Sequence, residues 1–141
     1  LAFERGVATL GQQIGFRREL QALTDLALDC GAADRPEVAD ALRRAWTELD
    51  VMRAHALRTL GSAETGTAEA AKLLWANWHR RLGEIAMTVR GAAGLLADPE
   101  LDDWQRLYLF TRADTIYGGS NEIQRNIIAE RVLGLPREAR P

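Results

Sequence analysis

Apolar positions recur every three or four residues over most of the chain, the spacing of one face of an α-helix. Nowhere do they alternate in the period-two manner of a strand. Five helical segments follow, at about 1–30, 36–60, 68–89, 102–116 and 121–134. In the first, Phe3, Val7, Leu10 and Ile14 share a face that Leu20, Leu23 and Ala27 extend. Gly6, Gly11 and Gly15 interrupt it, each costing roughly 1 kcal/mol of helix propensity relative to Ala. The expected compensation is close backbone approach to a neighbouring helix. In the second segment Val38, Leu42, Ala45, Leu49, Met52, Ala56 and Leu60 form a continuous stripe. Leu74, Trp75, Trp78, Leu82, Ile85 and Val89 do so in the third, and Trp104, Leu107, Leu109 and Phe110 are the apolar positions of the fourth.

The punctuation agrees with these segments. Gly31 ends the first and Pro36 suits the first turn of the second. Gly61-Ser62 and Thr65-Gly66-Thr67 make the next connection, with Glu69 one residue early for a capping box on Thr67. Gly91-Ala-Ala-Gly94 loosens or ends the third helix, and Asp98-Pro99 marks a turn. Tyr117-Gly118-Gly119-Ser120 is a sharp break, with Ser120 placed to cap the fifth helix, which Gly134 and Pro136 close. Long helices with short connections predict an all-α fold, an antiparallel up-down helical bundle of four long helices plus a short C-terminal helix, forming one domain over 1–141.

Composition narrows the function. The 141 residues are 47% hydrophobic and 27% charged, ordinary for a globular domain that can bury a core without staples. The net charge of −2 offers no broad footprint for nucleic acid. Cys30 is the single cysteine, so no intrachain disulfide and no zinc spacing exist, and a reducing, cytoplasmic setting is expected. No apolar run approaches the roughly 18 residues of a membrane span. The chain opens in mid-pattern at Leu1-Ala-Phe-Glu-Arg5, without a signal peptide, so a domain cut from a longer protein is expected. No metal site is predicted: neither His55 nor His79 has the Glu three residues before it that a di-iron bundle needs. Both are read as surface or helix-packing residues, and Trp75, Trp78 and Trp104 as core or interface.

The break at Gly118-Gly119-Ser120 is where chemistry can sit. Two glycines admit backbone conformations closed to other residues and let a ligand approach the main chain. The free N–H groups at the start of the fifth helix favour negative or partly negative ligand atoms. A helix–turn–helix corner that needs Gly for sterics alone fits the same residues.

The run Ile116-Tyr-Gly-Gly-Ser-Asn-Glu-Ile-Gln-Arg-Asn-Ile-Ile-Ala-Glu-Arg-Val-Leu-Gly-Leu-Pro-Arg137 resembles the closing segment of acyl-CoA dehydrogenases, whose pattern is Tyr-(Glu or Gly)-Gly-(Thr or Ser)-x-x-Ile-Gln-Arg. Lys72-Leu-Leu-Trp75 and Leu1-Ala-Phe-Glu-Arg-Gly6 also look like family segments, and the order of long helices fits the family's C-terminal domain. The resemblance implies an FAD-dependent oxidoreductase that converts an acyl-CoA thioester to the 2-enoyl-CoA, in fatty acid or sterol side-chain β-oxidation. It implies an electron-transfer flavoprotein or similar acceptor, and a homo-oligomer or a heteromer with a sister subunit. Neither nucleic acid nor membrane is an implied partner. FAD would sit between this domain and a preceding β-domain of the full-length protein, so the 141-residue piece alone is expected to be inactive.

Site residues follow from the same resemblance. Many members carry their base directly after the Tyr, where this sequence has Gly118; a subset places it on the first long helix before an Arg, where Glu4-Arg5 stands. Glu4 is therefore the candidate base, with a solvated helix residue as the alternative, and Arg5 the candidate that borders the acyl-CoA site. Tyr117 would line the substrate cavity and the Gly118 N–H would donate to the thioester oxygen. Gly119, Ser120 and Glu122 are the candidate FAD contacts at the corner. Gly91-Ala-Ala-Gly94 is similar to a turn that contacts FAD across the dimer interface, with Thr88 in place of the usual preceding Gln. The Arg-x-x-Phe-Gly signature expected after the first helix is missing, and Cys30-Gly-Ala-Ala-Asp34 occupies its place. Two further readings stay open: a non-catalytic partner subunit that completes a sister chain's FAD site, and a plain helical interaction module.

Overall fold

The computed structural model describes residues 2–61, 67–97 and 99–137, with side chains described at 11–60, 70–97 and 99–137. The described residues form five α-helices and no strand: α1 (Ala2–Asp29), α2 (Pro36–Gly61), α3 (Thr67–Arg90), α4 (Asp103–Asp114) and α5 (Asn121–Ile127). Short 3-10 turns follow α1 (Ala32–Asp34) and α3 (Gly91–Leu95), and a π-helical turn (Ile128–Val132) extends α5. The long helices end within about two residues of the sequence-derived boundaries. The fifth differs: its regular part stops at Ile127, and its last turn widens, with Leu133 N–H donating to Ile128 C=O at 3.0 Å.

Cross-helix hydrogen bonds give the directions. Trp46 Nε1 donates to Thr24 Oγ1 (3.1 Å) and Gln13 Nε2 to Met52 C=O (3.1 Å), so α1 and α2 run antiparallel. Trp78 Nε1 donates to Ala45 C=O (2.9 Å) and Arg35 to Thr88 C=O (2.8 Å), which reverses direction again at α3. Arg90 pairs with Asp102 (2.5 Å), while Arg112 donates to Arg80 C=O (2.7 Å), so α4 returns along α3. The central helix α3 thus contacts α1, α2, α4 and α5.

The core follows the predicted stripes where α1, α2 and α3 meet. Phe16, Leu20, Leu23 and Ala27 from α1, Val38, Leu42, Ala45, Leu49 and Met52 from α2, and Trp78, Leu82, Ala86 and Val89 from α3 are buried together. Some stripe members depart from the expectation. Ile14 is 59% exposed, and Gln13 and Phe16 take the inward positions instead. Leu74, Leu109 and Phe110 are exposed as well, and the buried residues of α4 are Gln105, Thr111 and Asp114. Phe3, Val7 and Leu10 lie outside the residues with described side chains.

The glycine expectation for α1 is corrected at Gly11 and Gly15, while Gly6 lies outside the residues with described side chains. A Cβ at Gly11 or Gly15 would meet nothing within 4 Å, so no close approach accounts for them. The close approach occurs at Gly83 of α3, where a Cβ would come within 2.7 Å of Thr111 Oγ1 and 3.0 Å of the Tyr108 Cα. Helix α4 packs tightly on α3 for that reason. It begins in a capping box: Asp102 accepts from the N–H groups of Trp104 and Gln105 (2.9 Å each), and Gln105 Oε1 accepts from the Asp102 N–H (2.8 Å). No described helix is long and apolar enough to cross a membrane.

Candidate functional site

Helix α4 stops at Asp114 because the chain turns back on itself. The N–H groups of Ile116 and Tyr117 both donate to Ala113 C=O (2.9 and 3.0 Å), and Asn121 N–H donates to Thr115 C=O (3.3 Å). Closing so tight a corner takes Gly118 and Gly119 to φ of 66° and 98°, the left-handed region where a side chain is strained. Gly119 is fixed a second way: a Cβ there would lie 2.7 Å from Gln124 Nε2, which donates to Gly118 C=O at 3.0 Å. Ser120 caps α5 as predicted, its Oγ accepting from Ile123 N–H at 3.5 Å. Among the described residues, no protein acceptor takes the N–H groups of Gly118, Gly119 or Ser120. With only seven residues in α5, those three amides rather than a helix dipole are the donors at this corner.

Side chains from α3 hold the corner from behind. The Lys72 ammonium lies 4.3 Å from the Trp75 ring centroid and 4.7 Å from that of Tyr117, and donates to the Asp114 carbonyl. Burial pushes the Lys72 pKa down, against the opposing charge of Asp114. Asn121 Nδ2 donates to Asn77 Oδ1 at 3.0 Å. Tyr117 is half exposed, but its hydroxyl donates to Asp114 Oδ1 at 2.7 Å. Burial, then that hydrogen bond and the charge of Asp114, push its phenol up to about 12.

Behind Asp114 sits a group that sequence reasoning did not find. His79 is 5% exposed and has a carboxylate on each ring nitrogen: Asp114 Oδ2 on Nδ1 at 2.6 Å and Glu19 Oε2 on Nε2 at 2.9 Å. Two acceptors call for two N–H donors, which is the imidazolium form. Burial pulls the His79 pKa down, but the hydrogen bond and charge of Glu19, then those of Asp114, outweigh it and the net direction is up. Phe16 and Trp78 flank the ring, with centroids 4.5 and 6.3 Å away. The three members come from three helices, 60 and 35 positions apart, and no local spacing marks them.

The predicted site residues therefore divide. Tyr117, Gly118, Gly119 and Ser120 form one corner, and exposed Glu122 lies beside it, its carboxyl held below the usual range by its own N–H and by Ser120. Thr88 is exposed near the far end of α3, 16 residues beyond Lys72, or about 24 Å of helix rise. It does not join the corner within one chain. Glu4 and Arg5 belong to the start of α1, but their side chains lie outside the described residues. Two grooves lie elsewhere: about 380 Å³ between α2 and α3, and about 270 Å³ between α1 and α2. Among the described residues, no group of three or more His, Cys, Asp or Glu could hold a metal ion.

Residues 1–133 match the family described as acyl-CoA dehydrogenase, C-terminal domain. The chain is 63% identical over 141 residues to acyl-CoA dehydrogenase IpdE1 of Mycolicibacterium smegmatis, covering 99% of this chain and 36% of that protein. It is 64% identical over 144 residues to acyl-CoA dehydrogenase IpdE1 of Mycobacterium tuberculosis, covering 99% and 37%. The chain thus spans about a third of the length of these relatives. Among solved structures, one described as the Tcur3481-Tcur3483 steroid ACAD superposes with a TM-score of 0.73 at 25% identity, over 91% of this chain and 35% of that one.

Proposed function

The chain belongs to the acyl-CoA dehydrogenase family, as its C-terminal domain, and from that premise we propose that it forms the thioester-facing half of an FAD-dependent acyl-CoA dehydrogenase active site. The observation that carries this reading is the corner itself: three successive amides without an acceptor among the described residues, two of them on left-handed glycines, backed by the Lys72 ammonium. The fit to FAD and a thioester rests on the same donors, since both present oxygen acceptors. When bound, FAD supplies the hydride acceptor for the β-carbon.

The residues of this chain have the remaining work. Glu4 takes the α-proton, with Arg5 beside the acyl-CoA. The Gly118 N–H donates to the thioester oxygen, where charge grows as the proton leaves, and a fixed donor there lowers the barrier. Tyr117 forms the cavity wall. Gly119, Ser120 and Glu122 face the flavin at the corner, and Thr88 meets it across a subunit boundary. The electrons pass on to an electron-transfer flavoprotein or similar acceptor in a cytoplasmic setting. The likeness to a protein described as a steroid ACAD favours a bulky sterol-derived acyl group over a simple fatty chain. In the full-length protein, Glu4→Gln should bind acyl-CoA yet fail to bleach the flavin, a loss of about 10²–10⁴-fold for a positioned base. Bleaching at the wild-type rate would remove Glu4 from the mechanism.

One observation favours a second reading. Gly118 stands where many members carry the base, which suits a subunit that completes a sister chain's FAD site without supplying the base. Purification of the full-length protein alone separates the two: a yellow, active homo-oligomer supports the first, and colourless protein that gains flavin only with a sister chain supports the second.

A further inference from the structure

We infer that His79, clamped between Glu19 and Asp114, is a positioning residue that fixes the Tyr117–Gly118 corner against α1. The clamp joins the helix that begins with the candidate base to the turn that carries the candidate donor. On one side Glu19 Oε2 reaches Nε2 at 2.9 Å from α1; on the other Asp114 Oδ2 reaches Nδ1 at 2.6 Å from the end of α4. The second oxygen of Asp114 accepts from Tyr117 O–H at 2.7 Å, and Gly118 is the next residue. Asp114 is 1% exposed and His79 5%, so neither has water to turn to. Among the described residues, the charged groups at this junction are Glu19 from α1, His79 and Lys72 from α3, and Asp114 from α4, with the Tyr117 phenol beside them. With the imidazole protonated they sum to zero, two anions against two cations. Loss of that proton leaves Asp114 and Glu19 sharing one hydrogen-bond donor, so one of the two carboxylates releases and the corner it holds gains freedom.

A merely structural histidine would weaken the fold without touching the chemistry selectively. A positioning histidine lowers the rate constant at saturating substrate and leaves ground-state binding nearly alone, because the corner amide is needed most when charge has grown on the thioester oxygen. This inference rests on the proposed role of the corner, and two readouts keep their failures apart.

The kinetic test is a cycle in the full-length flavin-loaded enzyme: His79→Gln, Tyr117→Phe and the double variant, read by flavin reduction at saturating acyl-CoA. His79→Gln should slow reduction about 10-fold or more with KM within about twofold, a fraction of what removing an oxyanion donor costs. The double variant should be no slower than the worse single one, because both act through the same carboxylate. Multiplying effects, or a His79→Gln rate within about twofold of wild type, would overturn the inference. If His79→Gln fails to hold flavin, Glu19→Gln replaces it in the cycle, since that side chain is partly exposed and keeps its shape; its alkaline loss of rate should begin at lower pH than in wild type, and an unmoved profile counts against the inference. The second readout needs no turnover. In ¹⁵N-glycine-labelled protein without acyl-CoA, the Gly118 and Gly119 amide resonances should move in the His79 or Glu19 variant. Unmoved resonances reject the positioning role, while moved resonances in a wild type that never bleaches with acyl-CoA reject the proposed reaction instead.

Discussion

The two ends of α3 are buried by opposite means. From Trp78 to Val89 it sits among Leu20, Leu23, Leu42 and Leu49, an apolar seam whose one polar atom at Trp78 finds a carbonyl on α2. From Lys72 to His79 its neighbours are Glu19, Asp114, Tyr117 and Asn121, and burial there is bearable only because each charged or polar group has a partner. An apolar seam is tolerant of small shifts, since contact area changes gradually. A hydrogen-bonded charge cluster has one low-energy arrangement, so it fixes geometry where the candidate site needs it. The stable end and the site end of this domain thus lie along one helix and meet at Trp78 and His79, whose ring centroids are 6.3 Å apart.

The largest effect should come from the apolar end. Leu82 is 0% exposed in the seam of three helices, so Leu82→Ala should remove about 3–5 kcal/mol from folding. Far-UV circular dichroism of the full-length protein in urea checks this, and the loss should be nearly the same at every pH between mild acid and mild base. A pH-dependent loss would mean that the seam and the charge cluster are not separate.

The polar end should respond less and with a pH signature. Asp114→Asn keeps the shape and one acceptor but removes an anion from His79, at a cost of about 2–3 kcal/mol near pH 6. The sign follows from the raised His79 pKa. A group bound more tightly to its proton when folded stabilises fully below its unfolded value, usually about 6.5, and that stabilisation is lost as pH rises through the higher folded value. The gap between wild type and Asp114→Asn should therefore be widest near pH 6 and narrow as the pH rises beyond. A gap that widens toward alkaline pH would contradict the imidazolium assignment.

The contrast also explains what could be read from the chain. The apolar end was legible: Val38, Leu42, Ala45, Leu49 and Met52 step by threes and fours, and all are buried. The corner was legible too, because Gly118-Gly119 and Ser120 act within a few residues of one another and their conformations are local. The helix ends were readable for the same reason at Gly31 and Pro36. The charge cluster was not. Glu19, His79 and Asp114 meet only through the bundle, and each alone has the look of a solvated helix residue. Ile14, Leu109 and Phe110 failed in the other direction: periodicity marks an apolar face without saying how far round the helix the neighbours reach. Gly11 and Gly15 meet open space, and nothing in the structure explains them.

The smallest effect lies at the join between the two ends, where a local signal was present in the sequence and passed over. Asp102 and Gln105 have the spacing of a reciprocal cap, and in the structure they satisfy three N–H groups at the start of α4 between them. Gln105 then spends its amide on Gly94 and Leu96 carbonyls, 2.8 Å each, tying α4 to the turn after α3. Asp102→Ala removes the cap and the ion pair with Arg90, a partly exposed pair that adds little by itself. The cost should be about 1 kcal/mol, the ordinary value of an N-cap. Because the Asp102 carboxyl sits below its usual range, held by the Gln105 N–H and by Arg90 against the opposing pull of burial, its contribution is present above the normal carboxylate pKa and fades as the pH falls through the lower folded one. That dependence runs opposite to the His79 cluster. Urea midpoints for Asp102→Ala should converge on wild type toward strong acid, whereas those for Asp114→Asn converge toward base. If both converge in the same direction, the cap and the cluster titrate as one unit, and the division of α3 into two independent ends fails.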